Sequence, residues 1–284
     1  MAITTFIPEY WSAALLQGIR QSIIFGQPGV INRNYEGQIE NAGDTVHINT
    51  VGRPTIRNYT PHTSITVDPL TDSEITFVIT QSKYWAFEVD DVEKRQALNA
   101  GALVNEAMSE AAAGLSELAD SYLAGLMTTD ALAGNKVGAV TVNSADTAFN
   151  LLVTLRTRLS NNRIPMDGRF LAVSSDFVGY LLKDNRFISA ANYGSNDVLM
   201  NGEVGRAMGF RITEVPATQL PAGASTGRLF VAGHPMATTF AEQIRKTEGL
   251  RMIDRFADMV RGLHLYGGKV IRPAALATAD VTVS

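Results

Sequence analysis

Residues 75–91 read Ile75-Thr76-Phe77-Val78-Ile79-Thr80-Gln81-Ser82-Lys83-Tyr84-Trp85-Ala86-Phe87-Glu88-Val89-Asp90-Asp91, and their pattern decides how the rest of the chain is read. Ile75, Phe77 and Ile79, then Trp85, Phe87 and Val89, fall at every second position, the period of a half-buried strand. Upstream, Thr45-Val46-His47-Ile48-Asn49 predicts an outgoing strand, so residues 44–89 read as one long hairpin. Its tip carries Pro54, Pro61 and Pro69, many Thr, and only scattered apolar residues (Ile56, Tyr59, Ile65, Val67, Leu70), too few for a core of its own. An isolated hairpin is marginal in water, so this one must lie on something.

The hairpin feeds into a long helix. Asp90 with Glu93 resembles a capping box, and Ala100, Leu103, Ala107, Ala111, Leu115, Leu118, Tyr122 and Leu126 recur at three- and four-residue spacing. Helical residues at 1.5 Å each, about 36 of them, span roughly 54 Å, far beyond an ordinary globular helix. Glu106, Glu110, Glu117 and Asp120 predict a solvated acidic face, while Gly101, Ala112, Ala113 and Gly114 permit close approach of another backbone.

Working outward, Pro8 opens a predicted helix with the apolar stripe Tyr10, Trp11, Ala14, Leu15, Ile19 and Ile23, and residues 27–43 read as a loose connecting arm. Residues 146–243 read as a compact α+β unit. It comprises a helix with Phe149, Leu152, Leu155 and Leu159, a turn at 164–168, a strand at 170–173, and a short helix with Phe177, Tyr180 and Leu181. Further strands are predicted at 210–215, 229–232 and 238–241. The tail, with strands at 252–256, 259–266 and 269–272 and a Gly267-Gly268 hairpin turn, is expected to pair into a sheet beside the long helix.

Composition narrows the function. The 284 residues are 45% hydrophobic and 18% charged, ordinary for a globular chain with a sizeable core. A net charge of -4 and a pI near 5.6 give no basic surplus for sequence-specific nucleic-acid binding. The absence of Cys excludes disulfides, thiolate metal sites and cysteine nucleophiles. No stretch approaches the roughly twenty apolar residues of a membrane-spanning helix, and the N-terminus has no secretory pattern, so synthesis in the cytoplasm is expected.

No catalytic, cofactor or metal site is expected. Gly223-Ala224-Ser225-Thr226-Gly227 matches the Gly-x-Ser-x-Gly of a hydrolase nucleophile elbow, but a strand rather than a helix should follow, so Ser225 remains a remote hydrolase alternative. His47, His62, His234 and His264 are solitary and lack two-ligand spacing. Asp254 and Asp258 face water as easily as a substrate, and residues 202–209, though glycine-rich, do not follow a predicted strand or end in Gly-Lys-Ser/Thr.

The order of elements, with the phrasing of 81–91, 170–182 (Phe-Leu-Ala-Val-Ser-Ser-Asp-Phe-Val-Gly-Tyr-Leu-Leu), 205–212 and 256–271, resembles the major capsid proteins of tailed bacteriophages. Their Hong Kong phage-type coat fold is shared with herpesvirus shells and encapsulins. The resemblance implies an α+β fold with an N-arm (1–43), an extended loop (44–89), a peripheral domain with its spine helix (90–145 and 244–284) and an axial domain (146–243). It further implies no enzyme activity and self-assembly through hexamers and pentamers into an icosahedral shell enclosing double-stranded DNA, without sequence-specific contacts. Portal, scaffolding and decoration proteins are the implied partners, with no membrane, and the virion the implied location after assembly in the host cytoplasm. An encapsulin-type nanocompartment is the alternative, and a tail component a more distant one. Lys83 is the only lysine in the arm, and the Lys–Asn crosslink of some relatives is not carried over. Arg53, Arg57 and His62 facing Asp68, Asp72 and Glu74 offer complementary charge for register between subunits.

Overall fold

A computed structural model describes residues 23–34, 45–51, 55–62, 64–69, 72–90, 100–184, 186, 206–224 and 226–284. The helix expected from Pro8, and the capping residues 91–99, lie outside them. Strand β1 (Thr45–Val51) pairs antiparallel with β2 (Asp72–Val78), Ile48 opposite Ile75, as the alternation predicts. The return strand does not stay with β1, however. After Ile79-Thr80 it continues as β3 (Gln81–Asp90), which pairs with a strand from the far end of the sequence, β10 (Ala257–Val270), Trp85 opposite Gly262. Asp90, expected to cap the helix, is still in the ladder opposite Ala257.

The long helix α1 runs Ala100–Asp130 among the described residues, about 46 Å at the usual helical rise. Its inward face is Ala112, Leu115, Ala119, Leu123, Ala124 and Met127, whereas Leu118, expected inside, is half exposed and Asp120, expected in water, is buried. Alanines on this face let α1 lie close against β10. Gly268 of β10 sits under Leu123 and Leu126, and Tyr122 meets Tyr266 edge-on at 5.6 Å between ring centres.

β10 is the central strand of a three-stranded sheet, with β3 on one side and β9 (Thr238–Arg251) on the other. Alternation gives each of its faces a different partner. Val260 packs with Trp85, Ala112 and Leu115 toward α1, while Leu265 and Ala241 pack with Ile48, Phe77 and Ile79 of the arm base on the opposite face. Gly267-Gly268 is therefore not the hairpin turn expected from the sequence; it lies inside β10, opposite Ala241 and Phe240, and the turn falls at 252–256. Close approach explains these glycines, since a Cβ at Gly267 would stand 2.9 Å from the Val78 carbonyl. A Cβ at Gly262 would meet the Trp85 indole at 2.7 Å. Gly262→Ala should therefore cost about 1–3 kcal/mol through overpacking, read by thermal unfolding; an unchanged midpoint would show that the ring is not held against β10.

The second sheet has six strands in the order β4-β11-β8-β5-β7-β6. These are β4 (Lys136–Val142), β5 (Arg169–Ser174), β6 (Arg206–Ala207), β7 (Phe210–Val215), β8 (Arg228–Gly233) and β11 (Leu276–Val283). Helices α2 (Ala145–Asn161) and α3 (Ser175–Leu182) pack against it, α2 opened by a capping box in which the Ser144 hydroxyl accepts from the Thr147 N–H. All six residues of β5 are buried, so both faces of the sheet are covered at its centre. The largest core joins this sheet, α2, α3, the C-terminal half of α1 and Ile23, Phe25, Val30 and Ile31. Val30 and Ile31 correct the expectation of a loose arm over 27–43 for its described part, 27–34; 35–43 lie outside the described residues. Hydrogen bonding also puts 136–142 and 276–283, grouped by sequence with the spine-helix unit, into the six-stranded sheet, β11 parallel to β4 and antiparallel to β8.

Candidate assembly interface

The segment 23–34 is tied down by buried charge. Asp120, 1% exposed on α1, accepts the backbone N–H of Ile24 at 2.7 Å and of Phe25 at 2.8 Å. Burial pushes its carboxyl up to about 6, against those hydrogen bonds and with repulsion from Glu242 adding to the rise. Glu242 on β9 has no exposed side-chain surface and is gripped by Arg33 Nη1 at 2.8 Å, with His264 Nε2 of β10 at 3.4 Å. Burial raises its carboxyl, but the His264 contact and the charge of Arg33 outweigh it and hold the group below its ordinary value. Arg33 also donates to the Gly26 carbonyl and stacks over Phe240. His264, solitary in the sequence, and Asp120, expected in water, find partners that lie far away along the chain.

Asp120 gives a signed pH dependence. Its folded pKa lies above the unfolded one, so the folded state binds the proton more tightly between about pH 4 and 6, and stability from this group falls as pH rises through that window. Relative to wild type, Asp120→Asn should gain up to about 3 kcal/mol between pH 4 and 7, because it no longer has a carboxylate to bury. A wild-type-minus-variant difference in unfolding free energy that stays flat over that range would contradict this.

The arm tip behaves in the opposite manner. Ile56, Tyr59, Ile65 and Val67 are 75–81% exposed, and the described tip residues form no strand ladder. Arg57 meets Asp68 at 2.7 Å and also donates to the Thr66 carbonyl, so this pair joins the two limbs of the tip. Arg57 and Asp68, expected to help set register with a neighbour, are thus paired with each other in the subunit. His62 is exposed with φ 65°, a turn position, and Arg53 lies outside the described residues. A second apolar projection is the β9–β10 turn, expected from the sequence as a strand at 252–256, where Ile253 and Phe256 are almost fully exposed. Between these projections the face of the three-stranded sheet that carries Tyr84, Met259 and Leu263 remains open, crossed by the Arg261–Glu248 pair at 2.7 Å.

Residues 72–279 match the family model described as phage capsid protein. The chain belongs to the phage capsid protein family. Among solved structures, this capsid protein is similar to a chain from Mycobacterium phage Che8, at 27% identity and a TM-score of 0.72, covering 98% of this chain and 94% of that chain. The capsid of cyanophage P-SCSP1u shares the fold at 14% identity and the same TM-score of 0.72, covering 100% and 91%. A virus-like particle from Pyrococcus furiosus shares it at 11% identity and a TM-score of 0.54, covering 96% and 99%. No curated protein matches. The capsid protein is a structural protein of the virion shell, not an enzyme.

Ser225 itself lies outside the described residues, but its loop closes as a tight reversal, with the Gly223 N–H donating to the Gly227 carbonyl, and leads into strand β8 rather than a helix. Asp280 fills the concave side of that reversal, accepting from the Ala224 N–H at 2.8 Å. His234 caps a single helical turn by accepting from the Met236 N–H, and burial lowers its pKa. Asp258 pairs with Arg251, while Asp254 is exposed. The described part of the glycine-rich stretch 202–209 is the β6–β7 hairpin. Among the described residues, no group of three His, Asp or Glu could hold a metal, and no helix is long and apolar enough to cross a membrane.

Proposed function

We propose that this capsid protein assembles through hexamers and pentamers into a closed icosahedral shell around packaged double-stranded DNA, with each arm lying over a neighbouring subunit. The observation that carries this reading is the arm: its base is packed on β10, while Ile56, Tyr59, Ile65 and Val67 find no burial in their own subunit. Apolar surface of this kind gains its stabilisation from a partner, and repetition around a closed shell supplies one to every copy. Residues 1–43 then serve as the N-arm, 44–89 as the extended loop, and α1 with the three-stranded sheet as the peripheral domain. The six-stranded sheet forms the axial domain, extended to include β4 and β11. Portal, scaffolding and decoration proteins are the expected partners, the DNA is enclosed without base-specific contacts, and assembly takes place in the host cytoplasm.

Negative-stain microscopy of the purified chain tests the reading. Closed particles of uniform diameter are expected, with nuclease-protected DNA in particles from infected cells. A stable monomer at high concentration, or particles that protect a cargo enzyme instead of DNA, would overturn it, the second result favouring the nanocompartment alternative.

A further inference from the structure

The β6–β7 hairpin turns through Met208 and Gly209, both with positive φ, and its antiparallel register sets Arg206 directly opposite Arg211. Like charges at opposed positions destabilise a strand pair. Among the described residues no carboxylate lies within ion-pair distance of either; Arg211 donates to the neutral Gln27 side chain at 3.0 Å. A third guanidinium, Arg169, 2% exposed, donates to the carbonyls of Ile164 and Pro165 and to the Ser160 hydroxyl, all uncharged. The three arginines line one open groove of about 380 Å³, where the exposed Asp167 is the only carboxylate among the described lining residues. In a chain of net charge -4 this is a local excess of the opposite sign.

The chain carries the complement itself. Glu106, Glu110 and Glu117 are exposed along one side of α1, and no described cation pairs with them. Glu106 and Glu110 are one helical turn apart, about 6 Å, close to the 4.5–5.5 Å Cα spacing of opposed residues in an antiparallel pair. Two carboxylates can therefore meet two guanidiniums side by side, each pair in the bidentate geometry that Arg favours. A single phosphate would engage this arrangement less fully, and the overall acidity of the chain disfavours a polyanion.

We propose that the Arg206–Arg211 groove receives Glu106 and Glu110 from α1 of a second copy, a contact that relieves the cross-strand repulsion present in the lone subunit. It rests on the shell reading and names one of that shell's contacts.

Charge exchange tests it. Arg206→Glu with Arg211→Glu should lower the yield of shells by about ten-fold or more while the subunit's melting temperature holds, since both residues are exposed. Glu106→Arg with Glu110→Arg should do the same, and combining all four substitutions should restore particles. Failure of the wild type to form shells at all would strike the shell reading instead. Wild-type yield from the arginine-reversed variant, or no recovery in the folded four-fold variant, would overturn the proposed contact. So would a rise in wild-type melting temperature with inorganic phosphate that the arginine-reversed variant lacks, which would make the groove a phosphate site.

Discussion

Deletion of Arg53 to Ser73, bridged by a short glycine turn, is expected to abolish shell formation while leaving the subunit folded. The described residues of the deleted tip contribute little to their own subunit: Ile56, Tyr59, Ile65 and Val67 are exposed there, and Arg57 and Asp68 bond each other across it. Surface changes of this kind usually alter stability by about 0.5 kcal/mol or less, so the melting temperature should move by no more than a degree or two. Between subunits the loss is much larger. Each apolar side chain fully buried against a neighbour is worth about 1.5–3 kcal/mol, and four are removed from every copy. The base is retained, since Ile48, Phe77 and Ile79 still pack against Ala241 and Leu265. Sedimentation should show soluble subunits or small rings in place of particles. Normal particles from the deleted chain would remove the arm from the assembly scheme, and a collapse in melting temperature would show that the tip supports its own subunit.

The second large effect is expected from Glu242→Ala. This carboxylate is fully buried and holds Arg33 at 2.8 Å, with His264, also fully buried, at 3.4 Å. Glu242→Ala takes the buried carboxylate away from Arg33, and breaking a buried pair in this way typically costs about 3–5 kcal/mol. Relief of the repulsion between Glu242 and Asp120 offsets part of that, in keeping with the raised pKa of Asp120. Chemical denaturation should show the loss directly. Replacing both partners, Glu242→Leu with Arg33→Met, should be far milder than Glu242→Ala alone, because both sides of the buried pair are then apolar. If the double variant is as unstable as the single one, packing around Phe240 rather than the ion pair accounts for the effect. Since Arg33 also bonds the Gly26 carbonyl, the single variant should loosen the anchored segment 23–34 as well, seen as faster amide exchange at Val30 and Ile31.

Much of this architecture was legible in local pattern. The alternation of Ile75, Phe77 and Ile79 marked β2, the spacing around Leu115 marked α1, and the unbroken apolar run Phe170 to Val173 marked β5, buried on both sides. The sparse apolar content between Pro54 and Pro69 was enough to expect an arm without a core of its own. The candidate interface was legible only in part, because exposed apolar side chains in the turn 252–256 look, letter by letter, like an ordinary strand.

By itself, then, the sequence determined the long helix, the two helices of the α+β unit and several of the strands, that no cysteine chemistry is available, and that the arm tip has no core of its own. All of these depend on residues within a few positions of one another or on composition. Tertiary structure alone decided that β3 leaves the hairpin for β10, about 170 residues away, and that β11 returns to lie beside β4. It alone turned Asp120 inward, where the N–H groups of Ile24 and Phe25 meet it, and joined Arg33, Glu242 and His264 into one buried cluster. The physical reason is the same in each case. A strand edge or a charged side chain accepts any suitable partner, and the one it receives is set by which distant segments the packed core brings within reach.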